Sequence, residues 1–267
     1  MKLTQRDHAH IWHPLTQHQT ARAPVGIVKA SGSVLIDEHG NSYIDGIASW
    51  YTAMFGHCNP YITQAMTKQM QTLDFVMFSG FTHEPAIELS EKLVAILPPN
   101  QQKVFFNDNG STAVEAAIKM AIQYYHNKSQ KRDTLIAFED GFHGDTFGAM
   151  SASGLSSYNG PFEDFLLKVK RIPTPQDHNL EEVLALLTTI LEQNNCAGFI
   201  FEPLVQGAAG MKFHSAKGLD ALIAKCKAHD VLCIADEIMT GFGKTGTNFA
   251  VEQLQHTPDI MCLSKAL

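Results

Sequence analysis

From about Asn59 onward, apolar residues follow two alternating spacings. Apolar positions three and four apart predict helices over 60–72, 83–97, 112–127, 179–194 and 216–229. Short apolar runs, rich in branched and aromatic residues, predict strands over 103–107, 134–138, 197–202, 231–236 and 260–264. Helix alternating with strand predicts an α/β chain with a doubly wound, mostly parallel sheet. The stretch from Gly154 to Pro175 is loop-rich and suggests no regular element.

Before Asn59 the pattern is different. The first ~20 residues are polar and rich in His and Gln, and around Ile11-Trp12-His13-Pro14 they read as an extended arm. The segment VLIDEHGNSYIDGI then reads as a hairpin around His39-Gly40-Asn41. This contrast places a boundary between residues 1–58 and residues 59–267.

Composition narrows the possible functions. The 267 residues carry a net charge of −7, which gives no electrostatic support to nucleic-acid binding. No run approaches the ~18 apolar residues of a membrane span, and the first residues, MKLTQRDHAH, lack the apolar core of a secretory signal. The five cysteines are scattered and never spaced as C-x-x-C, which fits a reducing compartment and a cytoplasmic protein. His8, His10, His13 and His18 lack metal-ligand spacing, so no metal site is expected.

Candidate chemistry lies at the ends of the apolar runs. One run ends in Asp236-Glu237 and another in Ser264-Lys265. Parallel sheets gather ligands at the carboxyl ends of their strands, so a carboxylate and an amine could share a crevice. Pyridoxal phosphate catalysis uses both: a lysine bonds the cofactor covalently and an aspartate keeps the pyridine nitrogen protonated. Successive strand side chains alternate, so Glu237 should point away from Asp236. A third run leads into Asn107-Asp108-Asn109-Gly110-Ser111-Thr112 ahead of a strongly helical stretch. A helix N-terminus behind a Gly-Ser turn suits a phosphate, although from the residues alone a capped helix after a tight turn is the favoured reading. Thr112 to Glu115 matches a capping box, which makes Thr112 the expected cap. A rival class is a nucleotide hydrolase, through Gly243-Lys244-Thr245. It fails on spacing, because Ile238 stands where the phosphate loop requires glycine.

Taken in order, these segments resemble the class III, fold type I aminotransferases over the whole length. The resemblance is carried by IWHPLTQ at 11–17, DGIASWY at 45–51, VMFSGFTHEPAIEL at 76–89 and NGSTAVEAAIKMA at 109–121. It continues through GFHGDTFGAMS at 141–151, EPLVQGAAGM at 202–211, ADEIMTGFGKTG at 235–246 and PDIMCLSKAL at 258–267. The IWHP, SW and HGDTFGAMS segments point to the branch of the family that serves biotin synthesis.

The resemblance implies a pyridoxal 5′-phosphate enzyme that works as a homodimer on small-molecule substrates, with the active site at the subunit interface. Residues 1–58 would be the arm and hairpin of a small domain, and 59–267 the large cofactor-binding domain. Lys265 would be the covalent and proton-transferring lysine, and Asp236 the partner of the pyridine nitrogen. Gly110 and Ser111 would hold the phosphate, and Phe142 would stack on the ring. Trp50, Phe142, Asp145 and Lys265 would meet the substrate. The implied reaction moves an amine to 8-amino-7-oxononanoate, from S-adenosylmethionine or alternatively lysine. Another ω-aminotransferase, acting on ornithine or 4-aminobutyrate, is the second reading. Leu15, Phe142 and Lys244 depart from the family's usual aromatic, tyrosine and arginine, and the first two bear on the donor. The chain also stops two residues after Lys265. A fold type I protein is expected to continue beyond that point, with further phosphate- and carboxylate-binding residues.

Overall fold

A computed structural model describes residues 2–154, 156 and 159–267. The chain forms two units, one ending at Phe81 and one running from Thr82 to Leu267.

The first unit begins with a helix, α1 (Leu3–His10), where an extended arm was expected. Its cap comes from distant sequence: Glu38 Oε2 accepts the Leu3 N–H at 2.9 Å, and Oε1 accepts the Thr4 hydroxyl at 3.5 Å. A carboxylate at a helix N-terminus satisfies orphan donors and the dipole together. Strands β1 (Ile27–Ser31), β2 (Val34–Asp37) and β3 (Ser42–Ile44) form an antiparallel sheet in that order. The β2–β3 pair is the expected hairpin, with Leu35 opposite Tyr43. Asp37 secures its turn, accepting the N–H groups of His39 and Asn41, the Asn41 amide and the Tyr43 hydroxyl at 2.8–2.9 Å. These bonds, that of the Asn41 side chain foremost, hold its carboxyl at about 2 against the opposing effect of burial.

The short turn α2 (Ala48–Tyr51) is left-handed, with φ of 46°, 48°, 56° and 70° at its four residues. Left-handed backbone costs roughly 1–2 kcal/mol per non-glycine residue, so it needs support. Asp45 supplies some by accepting the Ser49 N–H at 3.0 Å and its hydroxyl at 2.7 Å. These contacts, with His57 at 2.7 Å, hold the Asp45 carboxyl at about 2. Helix α3 (Pro60–Thr72) has proline at its first position and Asn59 as cap, accepting the Tyr61 N–H at 3.0 Å. Among the described residues of this unit only Asp37 is buried.

The second unit holds α4 (Glu84–Ile96), α5 (Gly110–Asn127), β4 (Thr134–Phe138), α6 (Phe147–Ala152), β5 (Lys168–Ile172) and α7 (Leu180–Leu191). It continues with β6 (Cys196–Phe201), a small ribbon of β7 (Val205–Gln206) and β8 (Lys212–Phe213), α8 (Ala216–Ala228), β9 (Leu232–Asp236) and β10 (Ile260–Cys262). Five strands make one sheet in the order β10-β9-β6-β4-β5, and every pairing is parallel.

Side-chain alternation builds a core on each face. Leu135, Ala137, Ala197, Ile200 and Ile234 pack with α5 and α6 through Val114, Ile118, Ala121 and Ala149. Ile136, Phe138, Phe199, Cys233 and Ala235 face α7 and α8 through Val183, Leu187, Leu219 and Leu222. A sheet covered on both faces explains why its strands read as continuous apolar runs.

Two expectations fail here. Residues 103–107 form no strand, and Phe105 is 66% exposed. Their residues suit a strand, but a strand forms only where a neighbour accepts its ladder bonds, and none of the described strands pairs with them. The loop-rich stretch 154–175 contains β5, an edge strand whose alternating lysines and arginine disguised it. Leu155, Ser157 and Tyr158 of that stretch lie outside the described residues.

Candidate functional site

The strand order reverses at β4: the chain passes to β5 on one side and later to β6 on the other. Crevices form at the carboxyl ends of strands at such a switch point. The loop after β4 carries Phe142, His143 and Asp145, and Glu202 follows the end of β6. Beyond the end of β9 lies Glu237, and beyond β10 lies Lys265.

Asp236 closes β9 and is 3% exposed. Its Oδ2 lies 2.7 Å from Nδ1 of His143, and its Oδ1 accepts the Ile238 N–H at 3.1 Å. A carboxylate has about four lone-pair sites, so this one can accept a further donor. Burial alone would pull the His143 pKa down; the Asp236 bond and charge, helped by Glu202, more than offset it and raise the value. Glu237 points elsewhere, as alternation requires. It is fully buried and accepts the Thr240 hydroxyl and the Val251 N–H.

Lys265 is half-buried beyond β10 with a left-handed backbone, φ 45°. Burial lowers its pKa, against the opposing charges of Asp236 and Glu202. The amine therefore feels both carboxylates from the same edge of the sheet. A lowered lysine pKa leaves more neutral, nucleophilic amine at a given pH.

Glu202 ties two loops together. Its Oε2 accepts the Phe142 N–H at 3.0 Å and its Oε1 accepts the Gly207 N–H at 2.9 Å. Burial raises its pKa, although the nearby His143 and these two bonds oppose that. The Phe142 ring itself stands 44% exposed above this clamp. Asp145 is exposed in the same loop.

Helix α5 starts at Gly110 rather than after Thr112, because Asn109 is its cap. Asn109 Oδ1 accepts the Thr112 N–H at 3.1 Å, and Thr112 Oγ1 in return accepts the Asn109 N–H at 3.1 Å. The expected Thr112–Glu115 box is absent, since Glu115 serves α6 instead: it accepts the Thr146 hydroxyl at 2.8 Å and the Ala149 N–H at 3.1 Å. Among the described residues no acceptor takes the N–H of Gly110 or Ser111, and both point from the positive end of the helix. The Ser111 hydroxyl is already engaged. Its Oγ accepts the Thr146 N–H at 3.0 Å and lies 2.9 Å from Thr146 Oγ1. The Thr146 proton goes to the Glu115 carboxylate, so Ser111 must donate in that second contact. Gly110 also packs against the segment after β9, where an added Cβ would meet Ile238 Cδ1 at 3.0 Å.

The structure thus brings Gly110, Ser111, Phe142, Asp236 and Lys265 to one edge of one sheet. Trp50 belongs to the first unit, on the left-handed turn α2, and is 61% exposed. The loop-bridging role of Glu202 and the bond between His143 and Asp236 were not legible from sequence. The aromatic-histidine pair after β4 was the available signal, but nothing in it names the partner.

A parallel, doubly wound sheet with a lysine and an aspartate at adjacent strand ends defines an α/β protein of the transferase type. The model of class-III aminotransferases matches residues 15–267. The chain belongs to that family. The adenosylmethionine-8-amino-7-oxononanoate aminotransferase of Synechococcus elongatus is 44% identical over 268 residues, covering 97% of this chain and 63% of its own length. That of Staphylococcus aureus is 40% identical, covering 100% and 63%. The crystal structure of the Methanocaldococcus jannaschii protein of the same name superposes with a TM-score of 0.93 at 35% identity, over 99% of this chain and 62% of that one. The chain therefore spans about three fifths of the length of these relatives. Class-III aminotransferases depend on pyridoxal 5′-phosphate.

Proposed function

We propose that this protein is an aminotransferase that moves an amine from S-adenosylmethionine to 8-amino-7-oxononanoate, giving 7,8-diaminononanoate. The observation that carries this reading is the convergence of Lys265 and Asp236 at the carboxyl edge of the sheet. The names of the relatives supply the substrates.

The residues of this edge fit pyridoxal 5′-phosphate. Asp236 is a buried carboxylate with accepting capacity left on both oxygens, as a protonated ring nitrogen requires. The N–H groups of Gly110 and Ser111 suit the phosphate through the main chain, because the Ser111 hydroxyl is taken by Thr146. Bound there, the cofactor supplies an electron sink for the carbanion formed next to the migrating amine. Lys265 Nζ holds the cofactor and carries the proton during turnover, helped by its lowered pKa. Asp236 keeps the ring nitrogen protonated, and His143 keeps Asp236 oriented. Glu202 fixes the backbone of Phe142, whose ring is exposed and able to cover a flat heterocycle. Trp50 and Asp145 are assigned to the substrate side. The exposed apolar residues of the first unit, among them Trp12 and Tyr61 at 81% and Phe75 at 79%, support a homodimer that covers them. The protein is assigned to the cytoplasm, and no helix among its described residues is long and apolar enough to cross a membrane.

The test is turnover of 8-amino-7-oxononanoate by the purified, cofactor-loaded protein, with S-adenosylmethionine and lysine offered separately. Formation of 7,8-diaminononanoate with the first donor is expected. Product with lysine alone reassigns the donor. No product with either, but turnover of ornithine or 4-aminobutyrate, replaces the substrate reading.

A further inference from the structure

Two buried polar side chains near the site carry polar atoms that have no partner among the described residues. Nε2 of His143 and both amide atoms of Gln206 have none among the described residues, although these residues are 3% and 0% exposed. Leaving such an atom unsatisfied is costly, because it loses its bonds to water and gains none in return. Both groups approach one point. A Cβ added to Gly141 would lie 3.1 Å from His143 Nε2, 3.7 Å from Gln206 Nε2 and 3.6 Å from the carbonyl oxygen of Phe138. Three polar atoms around the place where glycine has no side chain make a seat for one water, which needs two to four such partners.

We propose that Gln206 is a positioning residue: through one buried water beside Gly141 it engages Nε2 of His143, completing a chain Gln206–water–His143–Asp236 that steadies the carboxylate from behind. The donors balance. The water accepts from Nε2–H of a protonated His143 and from the Gln206 Nε2 amide, and donates to the Phe138 carbonyl. Nδ1–H of the same ring donates to Asp236 Oδ2. Asp236 thereby keeps a fixed direction. The chain of bonds stands on geometry alone; its effect on the cofactor rests on the function proposed above.

The test is nitrogen-15 NMR of the histidine rings in the protein without and with pyridoxal 5′-phosphate, for wild type, Gln206→Leu and Gly141→Ala. Gly141→Ala fills the seat and leaves both polar side chains in place. Both His143 nitrogens are expected to carry protons in the wild type. Each variant should move the Nε2 signal while the Nδ1 signal keeps its bond to Asp236. Each should also weaken cofactor affinity about tenfold, read by absorbance titration. Should Gln206→Leu fail to fold, Gly141→Ala decides. Unchanged His143 signals in the folded variants overturn the chain of bonds. Failure of the wild type to bind the cofactor overturns the functional reading instead and leaves the NMR result to judge the chain.

Discussion

At the scale of single residues, the proposed chemistry rests on an amine and a carboxylate placed by different strands. Borohydride reduction with pyridoxal 5′-phosphate, followed by peptide mapping, is expected to label Lys265 and to give no label in Lys265→Ala. Label on Lys244, or on any other lysine, would end the assignment. Asp37 offers a test of pH dependence away from the site. Its carboxyl stands at about 2, below the ordinary 3.8. A depressed folded value means that its contribution is complete above about 4 and disappears as pH falls toward 2. The amide signals of His39 and Asn41 should shift through that window in the wild type and stay flat in Asp37→Asn. Asp236 and Lys265 were legible from apolar runs ending in charged residues. The bonds between His143 and Asp236 and between Phe142 and Glu202 were not, because their partners sit 93 and 60 positions apart along the chain.

At the scale of elements, α5 and α6 are locked through Ser111, Glu115 and Thr146. Gly144 lies at this junction with φ 128°, and an added Cβ would fall 2.3 Å from Ser111 Oγ and 2.8 Å from Ser111 Cα. Gly144→Ala is therefore expected to destabilise by about 2–3 kcal/mol, as overpacking does. Asn109→Ala removes only the cap and should cost about 1 kcal/mol. Urea unfolding of both variants checks the ranking. Equal losses would mean that the junction yields easily. The five longer helices, α3, α4, α5, α7 and α8, were read well because their period is carried within each segment, whereas the short α1 and α6 were not. The run 103–107 was misread because strand formation depends on a partner that local sequence does not contain.

At the scale of the whole molecule, stability is uneven. The unit from Thr82 onward holds two cores on the faces of its sheet, whereas the first unit buries only Asp37 among its described residues. Regions with few buried apolar contacts open at low free energy. Brief trypsin treatment, read by mass spectrometry, is expected to cut within residues 2–81 before it cuts the sheet. Earlier cleavage inside β4, β6 or β9 would contradict this distribution.

By itself the sequence determined the period of the longer helices, the buried character of the sheet, and the order of the motifs that mark the family. These depend on neighbours a few residues apart, where spacing alone carries the signal. Tertiary structure decided that Glu115 serves α6 rather than its own helix, that Glu38 caps α1, and that Glu202 joins two loops. It also placed His143 behind Asp236. Each of these is a hydrogen bond whose donor and acceptor are chosen by packing, and periodicity says nothing about which distant groups that packing brings within 3 Å.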